Sequence, residues 1–454
     1  MSSDKEKITG YRYSGDIDVK FIKLISQSGE VIDIDKIVLE VNIFQNIFEH
    51  YIQAEIVVSD AVALLDSLKG NSDLGIQGGF NGGEVVVVSY KTNSKDLDYK
   101  THFFGVHDIS NRRRVDDKNE VYVLNCVSAE AYQTITKKIS RSYGGSKGNL
   151  ISNMVKSVVD EFVYNKAIKD IHDNYRSILN VRIKKEVSIT PTDGFQRYVI
   201  PNMTVDATID LFASEADNVT HIPYYLFWEN SKGFIFEDLN NLVQQDPKEE
   251  YTYVSTNVRD SEENAETAIR DFQKIISFDV VRQTDILENT QGGLFRQRTI
   301  NLDILKKNKS EVVFDYTKEH SKFKTLQKHI IPGSVDGDPV VHLIHSRTGH
   351  DTGNFTPENH LPKRINQIMS RRDSYGKHIF NTIVEVVVAG NSELDAGDII
   401  KLNIPVATNL NKVDGKRDKY LSGKYLITKV RHIFTDEDLF TTILECTKDT
   451  GIEI

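Results

Sequence analysis

The chain has 454 residues, of which 39% are hydrophobic and 27% are charged, and this balance is typical of a soluble globular protein with more than one packed unit. Its formal net charge of −10 argues against broad nucleic-acid binding, which depends on lysine and arginine neutralising phosphates. The two cysteines, Cys126 and Cys446, lie far apart and form no CxxC motif. We therefore expect neither a disulfide framework nor a thiolate metal site.

Targeting signals are absent from the sequence pattern. The first residues carry no apolar core, and no stretch approaches the roughly 20 apolar residues that cross a bilayer. We therefore expect that the protein is synthesised in the cytoplasm and has no membrane anchor.

Strand-like alternation dominates the first part of the chain. After a polar arm at 1–14, apolar and polar residues alternate over 37–43 and 52–58, which is the period of a half-buried strand. Further strands are predicted at 84–90, at 106–109 directly after Gly105, and at 121–127.

The middle of the chain mixes helical and strand patterns. Ile151, Met154, Val155, Val158 and Phe162 share one helical face. A second helix is predicted to begin at Thr204 as its cap, and the turn at 230–233 within an aromatic stretch predicts a hairpin. Residues 134–271 are therefore expected to form a mixed α/β domain.

The last part of the chain returns to strands after an irregular stretch. Strands are predicted at 275–282 and 296–305, whereas residues 330–362 are rich in glycine, proline, histidine and aspartate and predict a long loop. Alternating residues then predict closing strands at 382–388, 400–404, 425–430 and 441–446.

Three short patterns recur in the same order at the two strand-rich ends. GEVVVV at 83–88 matches GDIIKL at 397–402, Gly105 with its apolar strand matches GKYLI at 423–427, and VLNC at 123–126 matches ILEC at 443–446. Each match alone is weak, but their shared order indicates one antiparallel barrel built twice, with chance similarity among hairpins as the alternative. Three copies of a two-barrel chain would place six barrels around an axis.

Several blocks carry a family resemblance. They are NIFE at 46–49, AEIVVSD at 54–60, GIQGG at 75–79, YLFWEN at 225–230, GFIF at 233–236, AGD at 396–398 and SGKYLIT at 422–428. In this order they resemble the baseplate central hub proteins of contractile-tailed phages, which are similar to the front half of type VI secretion spike proteins. No hexapeptide-like repeat of a β-helical spike follows, which favours the phage-type arrangement with a separate spike.

The resemblance implies a structural role in a virion tail baseplate assembled in the host bacterial cytoplasm. A homotrimer would join the hexameric ring of tail tube protein to a trimeric central spike, contact baseplate wedge and tape-measure proteins, and form a channel. DNA would pass through without specific binding, past an acidic or neutral wall. A hub of a type VI or extracellular contractile injection system remains the alternative.

Two enzyme hypotheses compete with this interpretation. His342, His345 and His350 could belong to a metal site, but their spacing matches no metal-binding template, so we expect structural loop histidines. Glu229 beside Trp228 could belong to a sugar subsite of a cell-wall-degrading enzyme, but an aromatic hairpin packing a domain is the simpler explanation. We therefore expect no catalytic residues, no cofactor, no metal and no enzymatic activity.

The sequence thus predicts an α+β fold with two tube-protein-like antiparallel β-barrels and an inserted α/β domain, pseudo-sixfold as a trimer. The predicted units are an arm at 1–14, a first barrel at 15–133, the α/β domain at 134–271, a second barrel at 272–316 and 379–454, and a loop-rich insertion at 317–378. Gly79, Gly105, Gly397 and Gly423 are predicted to be structural turns that need unusual backbone angles at strand starts.

Overall fold

β-strands dominate the molecule. A computed structural model describes residues 14–69, 78–80, 82–92, 97–145, 148–179, 185–254, 272–303, 307–327, 338–345, 365–407, 417–435 and 439–449. Thirteen strands form one continuous sheet, which consists of a front sheet and a closed ring.

The front sheet contains the first seven strands in the order β2-β1-β5-β6-β7-β4-β3. Its strands are β1 (Ile17–Ile25), β2 (Val31–Asp33), β3 (Val38–Asn46), β4 (Gln53–Asp60), β5 (Val85–Thr92), β6 (Lys100–Arg114) and β7 (Glu120–Ser128). A short helix, α1 (Leu64–Ser67), follows β4. Alternate residues such as Ile43, Ile56 and Val88 are fully buried in one apolar core, as the period-two pattern predicts.

The closed ring contains six strands in the order β15-β21-β22-β23-β20-β16, and β16 pairs with β15 to complete the circle. The strands are β15 (Glu249–Tyr253), β16 (Lys274–Arg282), β20 (Thr382–Ala389), β21 (Ile399–Asn403), β22 (Gly423–Thr435) and β23 (Phe440–Lys448). The front sheet joins the ring where β3 pairs with β22. Because a ring has no free lateral edge, its backbone groups are satisfied internally.

The middle unit, residues 129–243, inserts between the front sheet and the ring. Its helices are α2 (Ala129–Thr134), α3 (Ile151–Val158), α4 (Lys166–Leu179), α5 (Val205–Glu215) and α6 (Leu239–Leu242). Its strands are β8 (Lys138–Tyr143), β9 (Asn149–Leu150), β10 (Glu186–Ile189), β11 (Phe195–Gln196), β12 (Tyr198–Thr204), β13 (Tyr225–Asn230) and β14 (Gly233–Asp238).

Three predictions for the middle unit are confirmed. The apolar face of α3 is buried and continues into a π-helical turn at Val159–Val163. The hydroxyl of Thr204 caps α5 by accepting a hydrogen bond from the backbone N–H of Ala207 at 3.3 Å. The hairpin forms from β13 and β14, whose ends pair at Asn230 and Gly233.

A side sheet lies outside the ring. It contains β17 (Arg296–Asp303), β18 (Asn308–Asp315) and β19 (Val340–His345) in the order β18-β17-β19. Two short helices, α7 (Ile286–Gln291) and α8 (Tyr316–Glu319), flank the first hairpin. The long helix α9 (Ile365–Ile379) packs on one face of the sheet.

The side sheet changes the composition expected for the second barrel. The sequence predicts residues 296–316 in that barrel and β15 in the α/β domain. The structure instead has β17 and β18 in a separate sheet, and β15 completes the ring. The physical reason is the polar buried face of β17. The fully buried Thr299 lies within hydrogen-bonding distance of Ser370 of α9, at 2.9 Å, and an apolar ring interior offers no such partner.

The predicted loop at 330–362 also contains a strand, because β19 lies within it. The remaining loop residues, 330–337 and 346–362, lie outside the described residues. Within the part of the chain that the structure describes, no helix has the length and apolar character needed to cross a membrane.

Candidate functional site

The front sheet and the closed ring repeat one strand arrangement. The order β1-β5-β6-β7-β4-β3 corresponds to β15-β21-β22-β23-β20-β16, and both sets occur in the same sequence along the chain. The first strand differs in direction, because β1 pairs antiparallel with β5 but β15 pairs in parallel with β21. The other five strands share one spatial order, one order along the chain and one set of directions, which favours a repeat over chance similarity among hairpins.

The registers of the repeated strands also agree. Cys126 of β7 pairs with Val106 of β6, and Cys446 of β23 pairs with Ile427 of β22. In both ladders the register shifts by one residue immediately after this pair. A β-bulge therefore lies at the same place in both halves, which makes Cys126 and Cys446 structurally equivalent.

A second bulge is repeated at β3 and β16. The register of β3 shifts around Leu39, and that of β16 shifts around Ile276. Both bulged side chains point outward, with 37% of Leu39 and 57% of Ile276 exposed. The alternation over 37–43 predicts Leu39 in the core, but the extra residue of the bulge moves it to the outer face.

The glycine before β5 and the glycine before β21 occupy equivalent positions. The N–H of Gly83 donates to the carbonyl of Val106 at 3.1 Å, and the N–H of Gly397 donates to that of Ile427 at 2.9 Å. Their φ angles are 93° and 96°, in the region that favours glycine. The first and third sequence matches of the repeat therefore correspond in space.

The four predicted turn glycines differ in backbone geometry. Gly79, Gly397 and Gly423 have φ angles of 99°, 96° and 128°, and Gly423 opens β22. Gly105 instead lies inside β6, where a Cβ atom would come within 2.7 Å of the ring of Tyr132. It is thus a close-approach position within a strand and not a turn.

The second sequence match of the repeat is not spatially equivalent. Gly105 pairs with Val85, the first residue of β5, whereas Gly423 pairs with Leu402, three residues after the first residue of β21. By register, the counterpart of Gly105 is Leu426.

The two halves also differ in closure. In the ring, β15 and β16 pair in parallel through Thr252 with Lys274 and Tyr253 with Ile275. Within the described residues of the front sheet no ladder joins β1 to β3. The free side of β3 pairs with β22, which makes the front sheet continuous with the ring.

A buried junction cluster, defined as Ser128, Glu130, Lys185 and Glu229, joins the front sheet to the middle unit. The ammonium of Lys185 lies 2.7 Å from Glu130 and 2.5 Å from Glu229. The Ser128 hydroxyl lies within hydrogen-bonding distance of both carboxylates, 2.6 Å from Glu130 and 3.1 Å from Glu229. Because all these groups are almost fully removed from solvent, the cluster holds its elements by charge-assisted hydrogen bonds.

The charges of the junction cluster affect one another. Burial alone would lower the pKa of Lys185, but Glu130 and Glu229 outweigh it and raise that pKa above its ordinary value. Burial raises the pKa of Glu229. The pKa of Glu130 lies below its usual range, because Lys185 and His172 outweigh the effect of burial.

A second contact joins the front sheet to α5. His50, in the turn between β3 and β4, lies 3.5 Å from Asp206 and 2.9 Å from Asp210. Burial would lower the pKa of His50, but hydrogen bonds to these two carboxylates raise it to about 9. The imidazole is therefore protonated at neutral pH.

Trp228 joins the hairpin of β13 and β14 to the segment that precedes β21 of the ring. Its indole Nε1 donates to the carbonyl of Ala396 at 3.1 Å, and both it and Glu229 are only 1% exposed. The Glu229 carboxylate is already occupied by Lys185, Ser128 and the backbone N–H of Ile52. A sugar subsite at this pair is excluded, because neither side chain is accessible and the carboxylate is bound.

Of the three histidines of the predicted loop, the structure describes the side chain of one. His342 lies on β19, while the side chain of His345 and all of His350 lie outside the described residues. Another group, Asp193, Asp217 and His221, brings three possible metal-ligand atoms within 4.8 Å of one another. His221 Nδ1 is 2.9 Å from Asp217, so this histidine and carboxylate already bind each other.

Sequence reasoning missed Lys185 and His50, because their partners are distant in the chain. Glu229 carried a usable signal: an acidic residue inside an aromatic strand is often a buried, paired charge.

The fold is similar to that of known tail proteins. The 43 kDa tail protein of prophage MuSo2 from Shewanella oneidensis matches with a TM-score of 0.50 and 10% sequence identity, over 96% of this chain and 100% of that chain. The tail protein from Neisseria meningitidis MC58 matches with a TM-score of 0.49 and 10% identity, over 94% and 96% of the two chains. The Francisella PdpA–VgrG complex in its lidded form matches with a TM-score of 0.42 and 10% identity, over 97% of this chain and 54% of that chain.

No protein-family model matches the chain, and no curated protein matches it in sequence. The predicted resemblance to phage tail proteins is confirmed at the level of the fold.

Proposed function

We propose that this protein is the central hub of a contractile phage tail, a homotrimer that joins the hexameric tail tube to the trimeric central spike. The observation that carries the proposal is the repeated strand arrangement, with its equivalent bulges at Cys126 and Cys446. Three copies of a chain with two like halves provide six similar surfaces around an axis. This is a direct way for a threefold assembly to bind a sixfold ring.

In this proposal the front sheet is the first of the two barrels and the closed ring is the second. The strand order of the front sheet is that of the closed ring. In a trimer, a neighbouring subunit could pack against the open side of the front sheet near β1 and β2. The proposal therefore divides the chain into two tube-like barrels with the middle unit inserted between them.

The bulged residues Leu39 and Ile276 are candidate contacts with the tube. They are exposed apolar side chains at equivalent positions of the two halves, so a trimer would present six of them. Apolar side chains repeated with the symmetry of the partner suit the centre of a docking interface.

The trimer would also enclose the channel for tape-measure protein and DNA, and it would contact the baseplate wedges. The net charge of −10 suits this passage, because a neutral or acidic wall does not retain phosphates. A hub of a type VI or extracellular contractile injection system would have the same geometry with another cargo.

The test is the solution mass of the purified chain by light scattering, followed by negative-stain imaging alone and with candidate spike and tube proteins. We expect particles of three subunits with a central opening, and a complex with both partners. A chain that remains monomeric in the presence of both partners would refute the proposal.

A further inference from the structure

A cavity of about 570 Å³ lies where the middle unit, the side sheet and α9 meet. Helix α5 and the start of β13 form one wall, β17 and β19 form another, and α9 closes the third side. This volume is within the range of small-molecule sites in proteins. The cavity is separate from the junction cluster and from the bulges at Leu39 and Ile276.

One part of the cavity wall is apolar and held in place by packing. Tyr224 and Phe380 meet edge to face at 5.8 Å, with Leu226 and Met369 beside them in the wall. A Cβ atom on Gly376 would lie 2.4 Å from the Tyr224 ring. The lack of a side chain on Gly376 therefore lets the Tyr224 ring lie directly against α9. The ring contributes apolar surface to this wall of the cavity.

Most charged groups at the cavity already have partners. Lys377 Nζ lies 2.6 Å from Asp373. Asp210, at the exposed mouth, binds His50, and Arg282 donates to the carbonyl groups of Phe380 and Asn381. These groups are not available to bind a ligand without breaking existing contacts.

Arg372 of α9 is different. Among the described residues its guanidinium has no ion pair or hydrogen bond, and Nη1 is buried without a partner. Burial lowers the pKa of Arg372. The nearby carboxylates of Asp373 and Glu215 offset only part of this cost of burial, so an anion that reached the guanidinium would gain a charge-assisted hydrogen bond.

Two further polar atoms in the wall have no hydrogen-bond partner within the part of the chain that the structure describes. They are Nε2 of His342 and Oε1 of Gln297, and the Gln297 side chain is fully buried. A polar wall with unsatisfied groups opposite an apolar wall selects a ligand with one polar end and one apolar end.

We propose that this cavity binds an organic carboxylate with an aromatic or aliphatic body. The carboxylate would pair with the guanidinium of Arg372, whose planar donors match it, and the body would lie on the wall formed by Tyr224 and Phe380. The same chemistry occurs in a small free acid and at the carboxyl terminus of a polypeptide that ends in an apolar residue.

The test measures binding of phenylpropionate to the full chain by isothermal titration calorimetry, with the uncharged phenylpropionamide as comparator. We expect the acid to bind with a dissociation constant in the millimolar range or below, and the amide about tenfold or more weakly, because a charge-assisted hydrogen bond is lost. A tripeptide ending in phenylalanine, with a free or an amidated terminus, distinguishes the two sources: tighter binding than phenylpropionate identifies a chain terminus, and weaker binding a small acid.

Arg372→Gln should weaken binding of the acid about tenfold or more and leave binding of the amide unchanged. Arg371→Gln is the matched control, because Arg371 lies next in the same helix but binds Glu319 at 2.9 Å and does not line the cavity. Equal binding of acid and amide, absence of binding by both, or an unchanged affinity of Arg372→Gln would overturn the proposal. The comparison of acid and amide on the unaltered chain holds even where the variant fails to fold.

Discussion

Replacing Gly397 with alanine should destabilise the contact between the middle hairpin and the ring. Gly397 has a φ angle of 96°, and a Cβ atom there would lie 2.8 Å from Cζ2 of Trp228. The indole cannot move aside freely, because it is buried and its Nε1 is bound to Ala396. The left-handed backbone costs about 1–2 kcal/mol for a residue with a Cβ atom, and overpacking adds about 1–3 kcal/mol. The expected loss is therefore about 2–5 kcal/mol.

Urea unfolding followed by tryptophan fluorescence would measure this loss directly, because Trp228 is the only tryptophan of the chain. Gly29→Ala is the matched control: its φ angle is 82°, but no atom of the described residues lies within 4 Å of the added Cβ atom. That variant should lose only the backbone part, about 1–2 kcal/mol.

Gly83→Ala tests the structural repeat in the same way. Gly83 is the counterpart of Gly397, with a φ angle of 93°, but the nearest atom to its Cβ position is 3.6 Å away in Gln27. Gly83→Ala should therefore lower the free energy of unfolding by about as much as Gly29→Ala, about 1–2 kcal/mol. Equal losses at Gly397 and Gly29 would refute the argument that the rigid Trp228 contact, and not the backbone angle alone, makes Gly397 necessary.

Three further perturbations test the junction and the docking proposal. Lys185→Met leaves two buried carboxylates without their cation and should lower the free energy of unfolding by about 3–5 kcal/mol at pH 8. The loss should be smaller at pH 5, because a carboxylate that takes up a proton is no longer an unpaired buried charge. The exposed Lys69→Met should change the unfolding midpoint little. His50, with its pKa raised to about 9, should contribute stability that is complete below pH 6.5 and lost as the pH rises through 9. Thermal unfolding of His50→Gln should therefore approach that of the unaltered chain at pH 10. Leu39→Asp combined with Ile276→Asp should preserve the trimer mass but abolish co-sedimentation with tail tubes, and normal co-sedimentation would remove these residues from the proposed docking surface.

Local patterns in the sequence predicted most individual elements. Thr204 caps its helix as expected because capping depends on neighbours within one turn. The hairpin closed by Asn230 and Gly233 also follows from adjacent residues. The prediction that Leu39 lies in the core is wrong, because a bulge depends on the partner strand and cannot be recognised from alternation in one strand.

The candidate sites could be predicted less well. From the sequence, Glu229 is a candidate for a sugar subsite, but its role is set by Lys185, which is 44 residues away in sequence. Arg372 lies in the predicted loop-rich insertion at 317–378, where the structure has helix α9. The packing of β17, β19 and α5 around α9 leaves Nη1 of Arg372 buried without a partner among the described residues.

The strand-rich character, the apolar face of α3, the Thr204 cap and the outline of a repeat can be predicted from the sequence, because each depends on spacing over a few residues. The choice of strands that form the closed ring depends on tertiary contacts. The tertiary structure placed β15 and not β17 in the ring, since the pairing of β15 with β21 joins residues about 150 positions apart, and it set Gly105 opposite Val85 inside a strand. Strand partners depend on which buried polar groups and apolar faces can be satisfied together, and that balance arises only when distant segments meet.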